Sequence, residues 1–222
     1  MIRRFKHVIS TLIIPLVCCI CFTQASYAQT PRPMKVNLEN ISDPRIKDSF
    51  MKVMEKYFPL HTYEVTLKQK PIKTSTMQAQ PVITFGGLFT GVKRYRIKLA
   101  YYVRDSENIK VSELPDDVLT GWFAHELGHV MDYAPYSNWQ MIGYGFKYVF
   151  SKKFRKQVEY KADYIAIDYG FHKEIVASKR FILNNDMLED DYKDKISTYY
   201  MSIEEVRMCV ENKTPIEPTV EL

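Results

Sequence analysis

The chain has 222 residues, 46% hydrophobic and 26% charged, which suits a folded domain with a proper core and excludes a disordered or polyionic protein. Its formal net charge of +5 is modest, and nothing in that balance asks for a nucleic-acid partner. Three of its four cysteines fall before residue 22, leaving Cys209 alone in the body of the chain, where it can form no internal disulfide.

Residues 1–28 read as an export signal. Arg3, Arg4 and Lys6 form a basic start, Val8 to Phe22 is apolar and almost uncharged, and Ser26 and Ala28 occupy the small-residue positions of a cleavage site before Gln29. The apolar run is short for a membrane span and is interrupted by Pro15; a retained anchor is the alternative. Cleavage leaves 194 residues (222 less 28) as a single domain over 29–222, periplasmic or secreted. It also removes three basic and no acidic residues, which lowers the net charge to about +2.

Beyond it, Gln29 to about Asn40 carries Pro31 and Pro33 and reads as an N-terminal arm. Asp43-Pro44 starts a helix to about Tyr57, with Ile46, Phe50, Val53, Met54 and Tyr57 on one apolar face and Pro59 ending it. Tyr63, Val65 and Leu67 alternate as a strand, a second strand is expected around Pro81 to Phe85, and a third from Lys93 to Arg104. "FGGLFTG" (85–91) reads as the turn between the last two. From Pro115 to about Asn212 the pattern is mainly helical. There is no internal repeat. Strands first and helices after predict an α+β fold with a small N-terminal antiparallel sheet.

The most informative stretch is "TGWFAHELGHVMDY" (120–133). Pro115, Asp116 and Asp117 supply a helix start, so His125 and His129 project from one helical face and can converge on one metal ion. Imidazole suits zinc, and Glu126, rotated about 100° from His125, sits where a general base is needed. Asp132 and Pro135 stand where a metzincin needs Gly and His, which excludes that class. A third ligand is offered by "QVEYKADYIAIDYG" (157–170), in which Glu159 and Asp163 lie four apart on one helical face.

His125-Glu126-x-x-His129 followed by Glu159-x-x-Ala162-Asp163 resembles the H-E-x-x-H…E-x-x-A-D signature of gluzincin metallopeptidases, the subgroup with the CAAX prenyl proteases in particular. The resemblance covers roughly 118–170 and implies a zincin-like metallopeptidase domain with one Zn²⁺. Carried over, His125, His129 and Glu159 are ligands, Glu126 is the general base, and Asp163 orients a ligand histidine. The membrane members of that subgroup carry spans around the motif, and none is read here after the signal.

The implied chemistry is metal-assisted hydrolysis of a peptide or protein substrate. His172 is a candidate oxyanion donor, with Tyr169 and Tyr160 behind it; a surface or capping role is the alternative. "YRIKLAYYVR" (95–104) is either an edge strand that binds extended peptide or an ordinary packed strand. His61 reads as structural. "NWQMIGYGFKYVFSKKFRK" (138–156) joins aromatics to a basic cluster, as a membrane-surface segment does; a buried helix with a solvated basic end is the commoner explanation. The rival function is a non-catalytic zinc-binding or envelope-surface interaction protein on a peptidase-like scaffold, and a latent enzyme covered by the N-terminal arm or the 84–91 loop is a third. Oligomeric state is not legible.

Overall fold

The computed structural model describes residues 34–83, 94–106, 108–216 and 218. These belong to one unit, Arg32–Leu222, whose core is built between Ile46 and Cys209. The expected leader over 1–28, its expected cleavage point and the expected turn over 85–91 lie outside the described residues.

The chain enters as strand β1 (Lys35–Glu39) and helix α1 (Pro44–Lys56). Asp43 caps α1 by accepting the Arg45 N–H at 2.9 Å, and Ile46, Phe50, Val53 and Met54 form its buried face. Pro59 ends the α-helical pattern within a 3₁₀ turn, Phe58–Thr62. Strands β2 (Glu64–Gln69), β3 (Met77–Pro81) and β4 (Arg94–Leu99) complete a four-stranded sheet of order β1-β2-β4-β3.

The sheet is mixed, which corrects the antiparallel expectation. β1 runs parallel to β2 and β2 parallel to β4, and only β3 is antiparallel to β4. The cause is the crossover: α1 carries the chain back between β1 and β2, so the second strand starts at the same end as the first. The expected arm therefore contains a strand, Val36 pairing with Val65 and Leu38 with Leu67. The second strand lies at 77–81, ahead of its expected place. The third stops at Leu99, after which Asp105 and Asn108, at φ 53° and 64°, bend the chain away.

β4 lies between β2 and β3, so 95–104 supplies an interior strand, and among the described residues the edges are β1 and, on the side of the helical motif, β3. Ala100 N–H bonds to Thr76 O and Val82 N–H to Arg94 O, so the backbone groups of the even-numbered residues face β4. Those of Met77, Ala79 and Pro81 face outward, and Pro81 costs the ladder no donor there.

Six helices follow: α2 (Asp116–Tyr133), α3 (Asn138–Phe150), α4 (Lys152–Asp168), α5 (His172–Leu183), α6 (Asp190–Tyr199) and α7 (Ile203–Asn212). α2 is buried at thirteen of its eighteen positions, which makes it the central helix rather than an amphipathic cover. α1 packs on it through Phe50 and Phe123, edge to face at 5.4 Å, and Tyr57 Oη donates to Ala124 O at 2.9 Å.

Two glycines set how closely α2 meets its other neighbours. A Cβ on Gly128 would lie 2.7 Å from the Ala162 carbonyl oxygen of α4, and one on Gly121 only 2.2 Å from Glu174 O at the start of α5. Both neighbours are backbone and cannot swing aside. On α3, by contrast, a Cβ at Gly143 meets nothing within 4 Å.

These two environments predict opposite signs for the same chemical change. Gly128→Ala should destabilise by about 1–3 kcal/mol because α4 must move away. Gly143→Ala should stabilise by about 0.5–1 kcal/mol through helix propensity alone. Urea unfolding midpoints at a common slope measure both, and a stabilised Gly128→Ala protein would contradict this packing.

Candidate metal centre

The close approach of α2 and α4 at Gly128 and Ala162 brings Glu159, one turn before Ala162, against the two histidines of α2. Glu159 Oε2 lies 3.0 Å from His125 Nε2 and 3.3 Å from His129 Nε2. The three side chains offer ligand atoms that all lie within 4.8 Å of one another. Donors held at about 2.0–2.1 Å around a tetrahedral ion sit roughly 3.3 Å apart, so the spacing suits such an ion. Two imidazole nitrogens and one carboxylate oxygen form a donor set suited to a borderline divalent metal such as zinc. The histidine rings meet edge to face, their centroids 4.6 Å apart.

His125 is fixed from its other side. Its Nδ1 is 2.9 Å from Asp163 Oδ1, which selects the tautomer that leaves Nε2 pointing at Glu159. Asp163 Oδ2 accepts from Lys179 Nζ at 2.7 Å and from the Met201 N–H at 3.2 Å. Asp163 and Lys179 are 1% and 4% exposed, so each buried charge has its counterpart inside the protein. Tyr148 Oη of α3 donates to the second oxygen of Glu159, and the Tyr200 ring lies tilted against His125 at 5.2 Å.

Burial alone would strip the proton from His125, but its hydrogen bonds to Asp163 and Glu159 outweigh that and raise it from 6.5 to about 10. Burial likewise works against the Glu159 carboxylate, yet the His129 charge and the bonds from both histidines hold it well below the ordinary range. Asp163 is also lowered: Lys179 and His125 overcome the penalty of burial.

Glu126 faces the same region from the next position on α2, and its Oε2 accepts the Ala79 N–H of β3 at 2.7 Å. That N–H is one of the outward-facing groups of the edge strand. Glu126, His129 and Glu159 line a cavity of about 580 Å³ with β3 on one side and Met141, Tyr144 and Tyr148 of α3 on the other. A smaller cavity of about 100 Å³ reaches His125, Glu126 and Asp163 from the side of α5 and α6.

The residues singled out in the sequence thus divide into two groups. His125, Glu126, His129, Glu159 and Asp163 are brought together. His172 opens α5 and lines neither cavity. Tyr169 packs its ring on Tyr57 at 4.8 Å, and Tyr160 Oη donates to Glu205 at 3.0 Å, so both serve packing. Asp132, which excluded the metzincin pattern, binds Lys161 at 2.5 Å and Tyr144 Oη at 3.0 Å, tying α2 to α4 and α3. Lys179, Tyr148 and the Ala79 N–H are not legible in the sequence, because no spacing rule connects them to the motif.

Comparison of the chain with protein-family models, with curated proteins and with solved structures returned no match.

The proton on His125 competes with a metal for Nε2, so binding must displace it. Titration calorimetry with Zn²⁺ in buffers of different ionisation enthalpy should show release of about one proton near neutral pH, and affinity rising towards pH 10. The metal-free protein should behave oppositely. A histidine raised from 6.5 to about 10 contributes stability that is complete below 6.5 and lost as pH climbs through about 10. Zinc affinity flat between pH 7 and 9 would contradict the network.

Proposed function

We propose that this chain is an exported zinc-dependent peptidase of the gluzincin type. The observation that carries the reading is the arrival of Glu159, from a separate helix, at donor spacing from His125 and His129, with Glu126 on the same cavity. A metal-free structural role would satisfy the buried charges but would leave unexplained why His129 and Glu159 border a large open space and His125 a smaller one, with Glu126 on both. The leader-like sequence over 1–28 supports export.

His125, His129 and Glu159 would hold the ion, and Asp163 with Lys179 behind it would keep the His125 ring oriented. Zinc bound there supplies Lewis acidity, polarising a carbonyl and lowering the pKa of water. Glu126 takes the proton of the attacking water and returns it to the leaving amine. The Ala79 N–H aims the Glu126 carboxylate and ties it to β3. An extended peptide adds to the outward edge of β3, where Met77 and Ala79 present their carbonyls beside Glu126. Pairing along that edge lays the scissile bond across the cavity, so the edge strand sets register while the two helices supply chemistry.

Glu126→Gln keeps the three donors and removes the base. Cleavage of a peptide library should fall by about a hundredfold or more while zinc content stays at one ion per chain. Glu159→Gln should lose both zinc and cleavage. Undiminished cleavage by Glu126→Gln would falsify the mechanism.

A further inference from the structure

Among the described residues, the outer face of α3 is left exposed. Trp139, Ile142, Phe146, Val149 and Phe150 are exposed by 59%, 49%, 65%, 59% and 72%. At 100° per residue these five fall within an arc of roughly 100° on the helix. Met141, Tyr144 and Tyr148 occupy the opposite side and line the larger cavity, which Val149 also borders from the margin of the outer face. The helix therefore has an apolar face on each side, one towards the cleft and one towards solvent. Phe146 and Phe150 already pack together on the outer face, their ring centroids 4.5 Å apart.

Charge identifies what covers that face. From Ala134 to Val158 the sequence has no Asp or Glu and five cations, Lys147, Lys152, Lys153, Arg155 and Lys156. Lys147, Lys152 and Lys153 are exposed and lie within a few residues of Phe146 and Phe150 in the chain. A second copy docked on the same face would bring these like charges together, whereas an anionic surface neutralises them. Among the described residues no helix is long and apolar enough to cross a membrane. A short helix with aromatics on one face and lysines at its edge lies in the headgroup region instead.

We propose that the outer face of α3 docks on an anionic lipid bilayer. Trp139, Phe146 and Phe150 enter the acyl boundary, and Lys147, Lys152 and Lys153 contact the phosphates. Resting on the peptidase reading, this also narrows the substrate class. The wall of the cleft lies within about a helix diameter of the bilayer, which favours polypeptide segments held next to a membrane.

The test uses a chain starting at Gln29, which retains the entire unit and excludes the leader. It should co-sediment with vesicles of phosphatidylcholine and phosphatidylglycerol, more weakly with phosphatidylcholine alone, and less as salt rises. Lipids brominated near the headgroup should quench the Trp139 fluorescence. Trp139→Ser/Phe146→Ser/Phe150→Ser should lose about tenfold or more in partitioning at unchanged thermal stability, since all three side chains are exposed. Lys152→Glu/Lys153→Glu should lose about fivefold per charge on anionic vesicles only. The proposal is overturned if the parent stays in the supernatant or if the triple variant binds equally well. It is also overturned if the face proves to join two copies, as a dimer dissolved by the triple variant. No step of the assay requires catalysis, so a chain that binds vesicles yet cleaves nothing refutes only the peptidase reading.

Discussion

The contact on which the site depends is the one between Gly128 and the backbone of Ala162. A helix pair separated by ordinary side chains would hold Glu159 too far from His125 and His129 for the three to share an ion. Removing the Cβ at one position lets the two backbones meet, and the carboxylate one turn away then falls between the imidazoles. Gly121, two turns earlier, does the same for α5, whose Lys179 closes the network behind Asp163. The candidate metal centre is a product of helix approach more than of any local loop.

The second constraint is charge in a dry place. Glu159 and Asp163 are nearly inaccessible, and leaving either carboxylate unpaired there costs several kcal/mol. Their partners are arranged in a row from Lys179 through Asp163 and His125 to Glu159, with Tyr148 at the far end. Without an ion, the His125 proton does the work of a cation between two carboxylates. Such a network fixes side-chain geometry before any ligand arrives, which is the preorganisation a metal centre needs. The edge strand joins through the Ala79 N–H, coupling the sheet to the helical half at Glu126.

Much of this was readable from the chain. Helices announced themselves through period and caps: Asp43 before α1, Pro115 before α2 with two aspartates in its first turn, and an i,i+4 pair of acids on α4. The donor set was legible because both halves follow helical spacing. β1 was not, because its face is half exposed and it is held by pairing with β2. β3, "MQAQP", alternates but has no branched or aromatic residue and ends in proline; its place is set by β4 and by Glu126. Parallel order and the partners Lys179, Tyr148 and Ala79 depend on distant chain segments meeting, which no local window contains. Reading 138–156 as a buried helix fails for a related reason: one side, that of Met141, Tyr144 and Tyr148, is enough to seat α3 on the cleft.

The central claim is that His125, His129 and Glu159 bind one ion together. Anomalous diffraction at the zinc edge from crystals of the zinc-loaded protein tests it most directly. The account predicts one peak at about 2.0–2.2 Å from His125 Nε2, His129 Nε2 and a Glu159 carboxylate oxygen. A peak elsewhere, or one bound by the histidines with Glu159 turned away, would contradict it.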